Sequence, residues 1–137
     1  MAILLDTSCL FALLDKDDRH HTNTTKFVEG TNETLIVPDV VLPEVSYLVN
    51  KYLGVQVEVK LLSSIREGEL ALESFLQTDL ERVIELISTY KDNKIGFVDA
   101  AIVATAERLN ITKILTLDKH FRIIKPRRIT AFEVYPV

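Results

Sequence analysis

The hydrophobic positions of this chain form two kinds of pattern that alternate from the N-terminus onward. In one kind, several apolar residues follow each other without interruption, which is typical of a strand buried on both faces. In the other, apolar residues recur every three or four positions, as on the buried side of a helix. This alternation predicts an α/β fold. The predicted strands are residues 2–6, 34–38, 70–75, 113–118 and 129–136.

Capping and turn residues set the expected limits of the helices. Asp39 is placed as the N-cap of a helix that ends at Gly54, and Thr78 and Glu81 form a predicted capping box. Asn110 is expected just beyond the C-terminus of the last long helix. The stretches of helical spacing are residues 8–16, 40–53, 57–68, 80–87 and 97–110.

The composition of the chain predicts its structural class and the number of its domains. Of the 137 residues, 47% are hydrophobic and 26% are charged, which is typical of a compact globular chain and predicts one domain over residues 1–137. The single cysteine, Cys9, excludes an internal disulfide framework. No positive charge precedes the first apolar run, and Asp6 interrupts it, so neither a secretory signal nor a membrane span is predicted. We therefore expect a cytoplasmic protein.

The charge balance bears on nucleic-acid binding. The chain has 16 Lys and Arg against 20 Asp and Glu, a formal net charge of −4, whereas phosphate binding usually accompanies a basic surplus. If a metal site accounts for four of the acids, however, the remaining charges balance. The segment "KHFRIIKPRR" carries cations and no acid, either to contact phosphates or to protect a strand edge from aggregation. Its cations are Lys119, Arg122, Lys125, Arg127 and Arg128.

Four acids are predicted to meet at one edge of the sheet. Asp6 and Asp118 end two strands, and the carboxyl ends of parallel strands share an edge. Asp99 lies at the start of a helix that runs antiparallel to the next strand, which returns it to the same edge. Glu44 lies just inside another helix, and helical side chains lean toward the N-terminus. Residues far apart in sequence thus become neighbours.

Such crowding of carboxylates requires a counter-charge. Two carboxylates about 4 Å apart repel by roughly 4 kcal/mol at an effective dielectric constant near 20. Protonation, a basic partner or a hard divalent cation relieves this repulsion. Bound Mg²⁺ or Mn²⁺ can orient a phosphodiester and lower the pKa of a water, which is hydrolytic phosphoryl chemistry.

Each acid also has a simpler explanation. Taken singly, Asp6, Asp99 and Asp118 suit a strand-end cap, a first-turn acid and a turn residue. Glu44 differs because it lies in the apolar stretch "VVLPEVSYLV", where a charge needs a partner. Together, the four acids favour a metal site.

These acids lie in four stretches whose order resembles the PIN-domain nucleases, in particular the VapC-type toxin ribonucleases of toxin–antitoxin pairs. The stretches are "LLDTS", "VPDVVLPEV", "IGFVDAAIVATAERL" and "ILTLDKHF". The resemblance covers essentially the whole chain. It implies a three-layer α/β/α sandwich around a short, mainly parallel sheet, and endonucleolytic cleavage of RNA with Mg²⁺ or Mn²⁺. It also implies a homodimer and, for a toxin, an antitoxin protein as partner.

The resemblance further implies roles for individual residues. Asp6, Glu44 and Asp99 correspond to the acidic metal ligands, and Asp118 to the fourth acid of the site, which binds the metal directly or through water. Supporting roles are expected for two hydroxyl residues, Ser8 in the first stretch and Thr116 in the last.

Other residues and functions are less well supported. The polar segment "DKDDRHH" contains two histidines and could hold a transition metal, but solvation of a turn between helices explains it. Cys9 lies on an apolar helix face and is expected to be structural. A phosphoacceptor receiver domain needs paired acids at the first strand, and "DTS" offers one. Two alternatives remain open: a PIN-domain RNA-processing nuclease without an antitoxin, and a non-catalytic module whose acidic cleft docks a basic partner.

Overall fold

The computed structural model of the protein describes residues 1–127 and 131–136. Arg128, one of the predicted phosphate contacts, lies outside the described residues, as do the first two residues of the predicted strand 129–136.

Five parallel strands form one sheet in the order β3-β2-β1-β4-β5. The central strand β1 pairs through Ile3 with Leu35 on one side and Lys113 on the other. All five predicted strands are present, although the fourth ends at Leu115 and leaves Asp118 in the loop beyond it. The strands are β1 (Ala2–Leu5), β2 (Thr34–Pro38), β3 (Ala71–Glu73), β4 (Lys113–Leu115) and β5 (Glu133–Tyr135).

Seven helices connect these strands within the described ranges. They are α1 (Thr7–Leu14), α2 (His21–Gly30), α3 (Leu42–Leu53), α4 (Val55–Arg66), α5 (Leu80–Thr89), α6 (Phe97–Leu109) and α7 (His120–Ile123). Two of them, α2 and α7, were not predicted, because α2 has few apolar positions and α7 is a single turn. No helix among the described residues has the length and apolar character needed to cross a membrane.

The path of the chain through the sheet places helices on both faces. From β1 through β2 to β3 the chain moves toward one edge, and the connections contain α1 to α4. From β3 it returns across the sheet to β4, and that connection contains α5 and α6. Crossovers between parallel strands are right-handed, so opposite directions of travel put the two groups of helices on opposite faces. The predicted three-layer α/β/α sandwich is confirmed.

Helix α6 is the most deeply buried helix of the fold. Its residues from Ala100 to Glu107 are all buried, and the left-handed residue Asn110 (φ 57°) follows it, as the sequence indicated. Alanines make up much of its surface, so neighbouring elements approach it closely. The residue at its N-terminus is thereby held in a fixed position relative to the sheet.

Two predicted helix caps are wrong. Asp39 begins a turn of 3₁₀ helix rather than capping α3, because its carboxylate accepts a hydrogen bond from the Phe75 N–H at 3.0 Å. The Thr78–Glu81 box is replaced by Asp79, whose carboxylate accepts from the Leu76 N–H at 3.0 Å. A long-range contact thus replaces the predicted cap at Asp39, whereas at residues 76–79 a neighbouring local cap replaces the predicted one.

Candidate active site

The four predicted acids line one cleft at the carboxyl edge of the sheet. Asp6 follows β1 directly, Asp118 lies in the loop after β4, and Glu44 and Asp99 occupy the first turns of α3 and α6. The cleft they border has a volume of about 550 Å³. The structure therefore brings together side chains that are separated by up to 112 positions, from 6 to 118, in the sequence.

Asp6 is the most buried of these acids, with 6% of its surface exposed. Its carboxylate accepts hydrogen bonds from the Thr7 N–H and from the Thr116 hydroxyl, both at 2.6 Å. Burial nevertheless raises the pKa of Asp6, and the nearby charges of Asp99 and Asp118 raise it further. The ionised form thus lacks part of the counter-charge that it needs.

Two hydroxyl side chains connect the first strand to the loop after the fourth. The Thr116 hydroxyl donates to Asp6 and accepts from the Asp118 N–H at 2.9 Å. The Ser8 hydroxyl accepts from the Leu117 N–H at 3.0 Å and lies 3.5 Å from the Asp6 carboxylate, at the outer limit of a hydrogen bond. Both hydroxyls therefore fix Asp6 and the loop that carries Asp118 relative to each other.

His120 is a site residue that the sequence reasoning missed. Its Nδ1 lies 2.8 Å from Asp99 Oδ2 and 3.3 Å from Asp118 Oδ1. One ligand atom from each of these three residues lies within 4.8 Å of the other two. The signal in the sequence is the spacing Asp-x-His after a buried strand, where the Asp118 carboxylate accepts the His120 N–H at 2.8 Å and closes a turn.

Asp99 is also short of counter-charge. Burial raises its pKa, and the charges of Asp118 and Glu44 add to this effect, while the hydrogen bond from His120 acts in the opposite direction. With 17% of its side chain exposed, Asp99 remains accessible from the cleft. A cation placed beside it would relieve the same repulsion.

Glu44 reaches the cleft from the first turn of α3, as expected, but its charge is not buried. Helix α3 buries Val45 and Val49, whereas Glu44 lies on its exposed side and faces the cleft. The apolar stretch around it therefore does not bury its charge, and water solvates the carboxylate. Its electrostatic effect on Asp99 still places it within the acidic group.

The cleft offers suitable donors for a hard divalent cation. Carboxylate oxygens are the ligands that Mg²⁺ and Mn²⁺ prefer, and two of the four acids, Asp6 and Asp99, have pKa values raised by burial and by the neighbouring negative charges. Thr7, which the sequence reasoning also missed, lines the same cleft. Its hydroxyl oxygen is buried without a hydrogen-bond partner among the residues that the structure describes. These donors fit a hydrated cation.

The basic segment after β4 divides between two surroundings. Lys119 and Arg122 line a second cavity that adjoins the acidic cleft at Asp118. Arg127 instead forms an ion pair with Glu85 on α5. Lys125 is exposed. The segment is therefore not a single basic surface.

The residues set aside in the sequence occupy structural positions. Cys9 is fully buried, and burial raises its pKa well above the usual range of a thiol, which leaves it protonated. The "DKDDRHH" segment forms a turn in which Asp18 accepts the His20 N–H at 2.8 Å. His21 begins α2, and its Nδ1 lies 2.7 Å from the Ala12 carbonyl oxygen.

Comparison with known proteins finds relatives of this chain in sequence and in fold. The profile of the PIN domain matches residues 3–125. Ribonuclease VapC26 of Mycobacterium tuberculosis is 31% identical over 135 residues, which cover 98% of this chain and 100% of that protein.

Solved structures share the fold. VapC20 of Mycobacterium tuberculosis, described as a Sarcin-Ricin loop cleaving toxin, is 22% identical with a TM-score of 0.81, over 93% of this chain and 98% of that one. VapBC2 of Rickettsia felis, bound to a DNA fragment from its promoter, is 21% identical with a TM-score of 0.71, over 99% and 100% of the two chains. At these identities the similarity shows a shared fold alone.

Proposed function

The chain belongs to the PIN-domain family, and we propose that it is an endoribonuclease that hydrolyses RNA phosphodiester bonds with Mg²⁺ or Mn²⁺. The observation that carries the proposal is the acidic cleft. Four carboxylates face one space, and burial, together with the charges of the neighbouring acids, raises the pKa of two of them, Asp6 and Asp99. The 31% identity to a ribonuclease over nearly the whole chain supports RNA as the substrate.

In this proposal Asp6, Glu44 and Asp99 hold the cation, and Asp118 completes the site directly or through water. When bound, the cation supplies Lewis acidity toward the phosphate and lowers the pKa of a water molecule. The hydrogen bond from Thr116 orients the Asp6 carboxylate and favours its ionised form against the effect of burial.

His120 orients the other side of the site. Its contacts with Asp99 and Asp118 fix the distance between these two carboxylates. Its hydrogen bond also favours the ionised form of Asp99. A preorganised pair of anions requires little rearrangement when a cation arrives. The role of His120 is thus to position the acids.

We further propose that the enzyme is the toxin of a toxin–antitoxin pair and forms a homodimer. The fold is that of VapBC toxins, which supports an antitoxin as partner. An antitoxin segment that supplies Arg or Lys would neutralise the same acids as the cation. Exposed apolar residues of α3 and α4 provide a surface for a second copy: Tyr47, Tyr52, Val55, Val59 and Leu62.

Asp99→Asn tests the cation site through two opposite effects on stability. In a chelator at neutral pH, the variant should melt at a higher temperature than the native chain, because it lacks one of the repelling charges. In Mn²⁺ the native chain should gain stability and the variant should gain much less. RNA cleavage should fall by at least about 100-fold, which corresponds to roughly 2.7 kcal/mol of transition-state stabilisation. Differential scanning fluorimetry and a gel-based cleavage assay measure these effects.

Glu69→Gln is the matched control, since Glu69 is exposed just before β3. It lies at the amino ends of the strands, whereas the acidic cleft lies at their carboxyl ends. The substitution removes one negative charge and should change neither the Mn²⁺ response nor cleavage. Equal cation stabilisation and equal cleavage in native and Asp99→Asn proteins would contradict the assigned ligands. RNA retention without cation dependence would instead favour a non-catalytic binding module.

A further inference from the structure

A second cavity of about 240 Å³ lies directly beside the acidic cleft. Residues from three elements form it: His20 and Asn23 at the start of α2, Lys119 and Arg122 around α7, and Val134 of β5. Thr116 and Asp118 also line it, and Asp118 faces the acidic cleft as well. The two spaces are therefore separated by the width of about one side chain.

The walls of this cavity differ chemically from those of the cleft. Lys119 and Arg122 place two cations at its rim, and neither forms an ion pair with a carboxylate of the described residues. Four other arginines are paired within the fold, namely Arg66, Arg82, Arg108 and Arg127. The two cations at the rim thus remain available to a phosphate.

The inner walls combine apolar surface with a planar ring. Leu117 and Val134 contribute apolar surface, and His20 contributes an imidazole. The His20 Nε2 accepts a hydrogen bond from the Arg19 Nε at 3.1 Å. Asn23 adds an amide, a group that can both donate and accept hydrogen bonds. Aromatic rings and amides beside apolar surface are the groups that bind unstacked nucleobases.

The size of the cavity limits what can enter. Its volume of about 240 Å³ has room for one planar nucleobase. A base that enters a recess of this kind is unpaired and turned out of its stack.

We propose that this cavity binds the base of an unpaired nucleotide next to the scissile phosphate, with Lys119 and Arg122 on the adjoining phosphate. The proposal rests on the proposed ribonuclease function, because it takes the scissile phosphate to lie in the acidic cleft. It places the recognition of one nucleotide beside the cut in the recess between α2, α7 and β5.

Abasic substitution tests the base pocket without altering the protein. The cut is first mapped in a mixture of single-stranded RNAs of defined sequence with Mn²⁺. A 12-nucleotide RNA that contains the cut is then prepared with an abasic residue at each position in turn. We expect the loss of one flanking base to lower kcat/KM by about 10- to 100-fold, while loss of bases farther away has little effect. The same RNA annealed to its complement should be cut at least about 10-fold more slowly.

Protein variants then locate the effect. In His20→Ala, the intact and abasic RNAs should be cut at similar rates, because the wall that recognises the base has lost its ring. Arg122→Gln should weaken binding of the intact RNA by about 3- to 10-fold, measured by fluorescence anisotropy in the Asp99→Asn background. Arg66→Gln, an exposed arginine at the opposite edge of the sheet, is the matched control and should leave binding unchanged.

The outcomes separate this proposal from the function on which it rests. If RNA is cut with Mn²⁺ but no abasic position matters, or duplex is cut as fast as single strand, the base pocket is wrong and the ribonuclease function stands. If the native protein cuts no RNA in any divalent cation, the ribonuclease function fails. In that case anisotropy still decides the pocket, since a preference for the intact over the abasic single strand would require a base-binding site and its absence would exclude one.

Discussion

At the scale of single residues, the Thr116 hydroxyl connects the segments that follow two strands, β1 and β4. It is 2% exposed, donates to the Asp6 carboxylate and accepts from the Asp118 N–H. A hydrogen bond to a charged group contributes about 1.5–3 kcal/mol, and an unsatisfied buried N–H costs a comparable amount. The residue therefore matters both for stability and for the ionisation of Asp6.

Thr116→Val should lower the free energy of unfolding by about 2–3 kcal/mol. It should also weaken Mn²⁺ binding, because the Thr116 hydrogen bond lowers the pKa of Asp6 and its loss favours the protonated acid. Urea unfolding with and without Mn²⁺ measures both effects. Thr116→Ser keeps the hydroxyl and should retain most of the Mn²⁺ response, so equal losses in the two variants would contradict this role.

His120 predicts a change in pH dependence. Its hydrogen bond holds the pKa of Asp99 below the value that burial alone would give, so His120→Ala should raise that pKa. In the proposed mechanism the ionised form of Asp99 holds the cation, so the acidic limb of the cleavage profile should move to higher pH. His120→Gln keeps an N–H donor without a titrating ring and should lie closer to the native profile. An acidic limb that stays in place in His120→Ala would contradict the assignment.

At the scale of elements, Arg108 joins α6 to the far edge of the sheet. Its guanidinium donates to Asp79 at 3.0 Å, to Glu73 of β3 at 3.2 Å and to the Ser74 carbonyl oxygen at 3.1 Å. Asp79 is only 6% exposed, so this ion pair is largely shielded from water. The short edge strand β3 is thereby held by side-chain contacts as well as by its three-residue ladder with β2.

Arg108→Met should lower the free energy of unfolding by about 3 kcal/mol, because it keeps the apolar stem but leaves a buried carboxylate without its cation. Arg108→Lys retains the charge and loses the forked geometry, so an intermediate loss is expected. Guanidinium unfolding measures the difference. A loss of less than 1 kcal/mol in Arg108→Met would mean that water can solvate Asp79 and that the contact contributes little.

The elements also show which features the sequence could predict. Strands with uninterrupted apolar runs were placed because burial on both faces leaves a local pattern, and the edge that gathers Asp6 and Asp99 followed from the direction of parallel strands. Helix α2 was not predicted, because its fold contacts involve few side chains and its sequence reads as polar. His120 was missed for a related reason: its partner Asp99 is 21 positions away, and a contact across elements leaves no local pattern.

At the scale of the whole molecule, the acidic cleft makes stability depend on pH in an unusual direction. The pKa values of Asp6 and Asp99 are raised above the usual 3.8, so the folded protein binds protons that the unfolded chain has released. Between 3.8 and the raised values, these two groups therefore make the free energy of unfolding fall as pH rises. A bound cation opposes this loss.

The prediction is a difference in melting temperature between two proteins. In a chelator, the native chain should lose stability relative to Asp99→Asn as pH rises above 3.8, and the difference should level off once Asp99 is fully ionised. In Mn²⁺ at neutral pH the difference should have the opposite sign, with the native chain melting at the higher temperature. Comparing the two proteins cancels the titration of the other acids. A difference that is constant across the range would show that Asp99 titrates normally.

Helix α6 has a mechanical consequence for the enzyme. A helix of 13 residues spans roughly 20 Å, and this one is enclosed by neighbours along most of that length. It therefore behaves as a stiff rod that transmits a tilt imposed at one end to the other. A substitution that changes the packing at the middle of α6 shifts Asp99 by a fraction of an ångström even when the protein still folds. Loss of activity can therefore arise from a buried residue that does not contact the substrate.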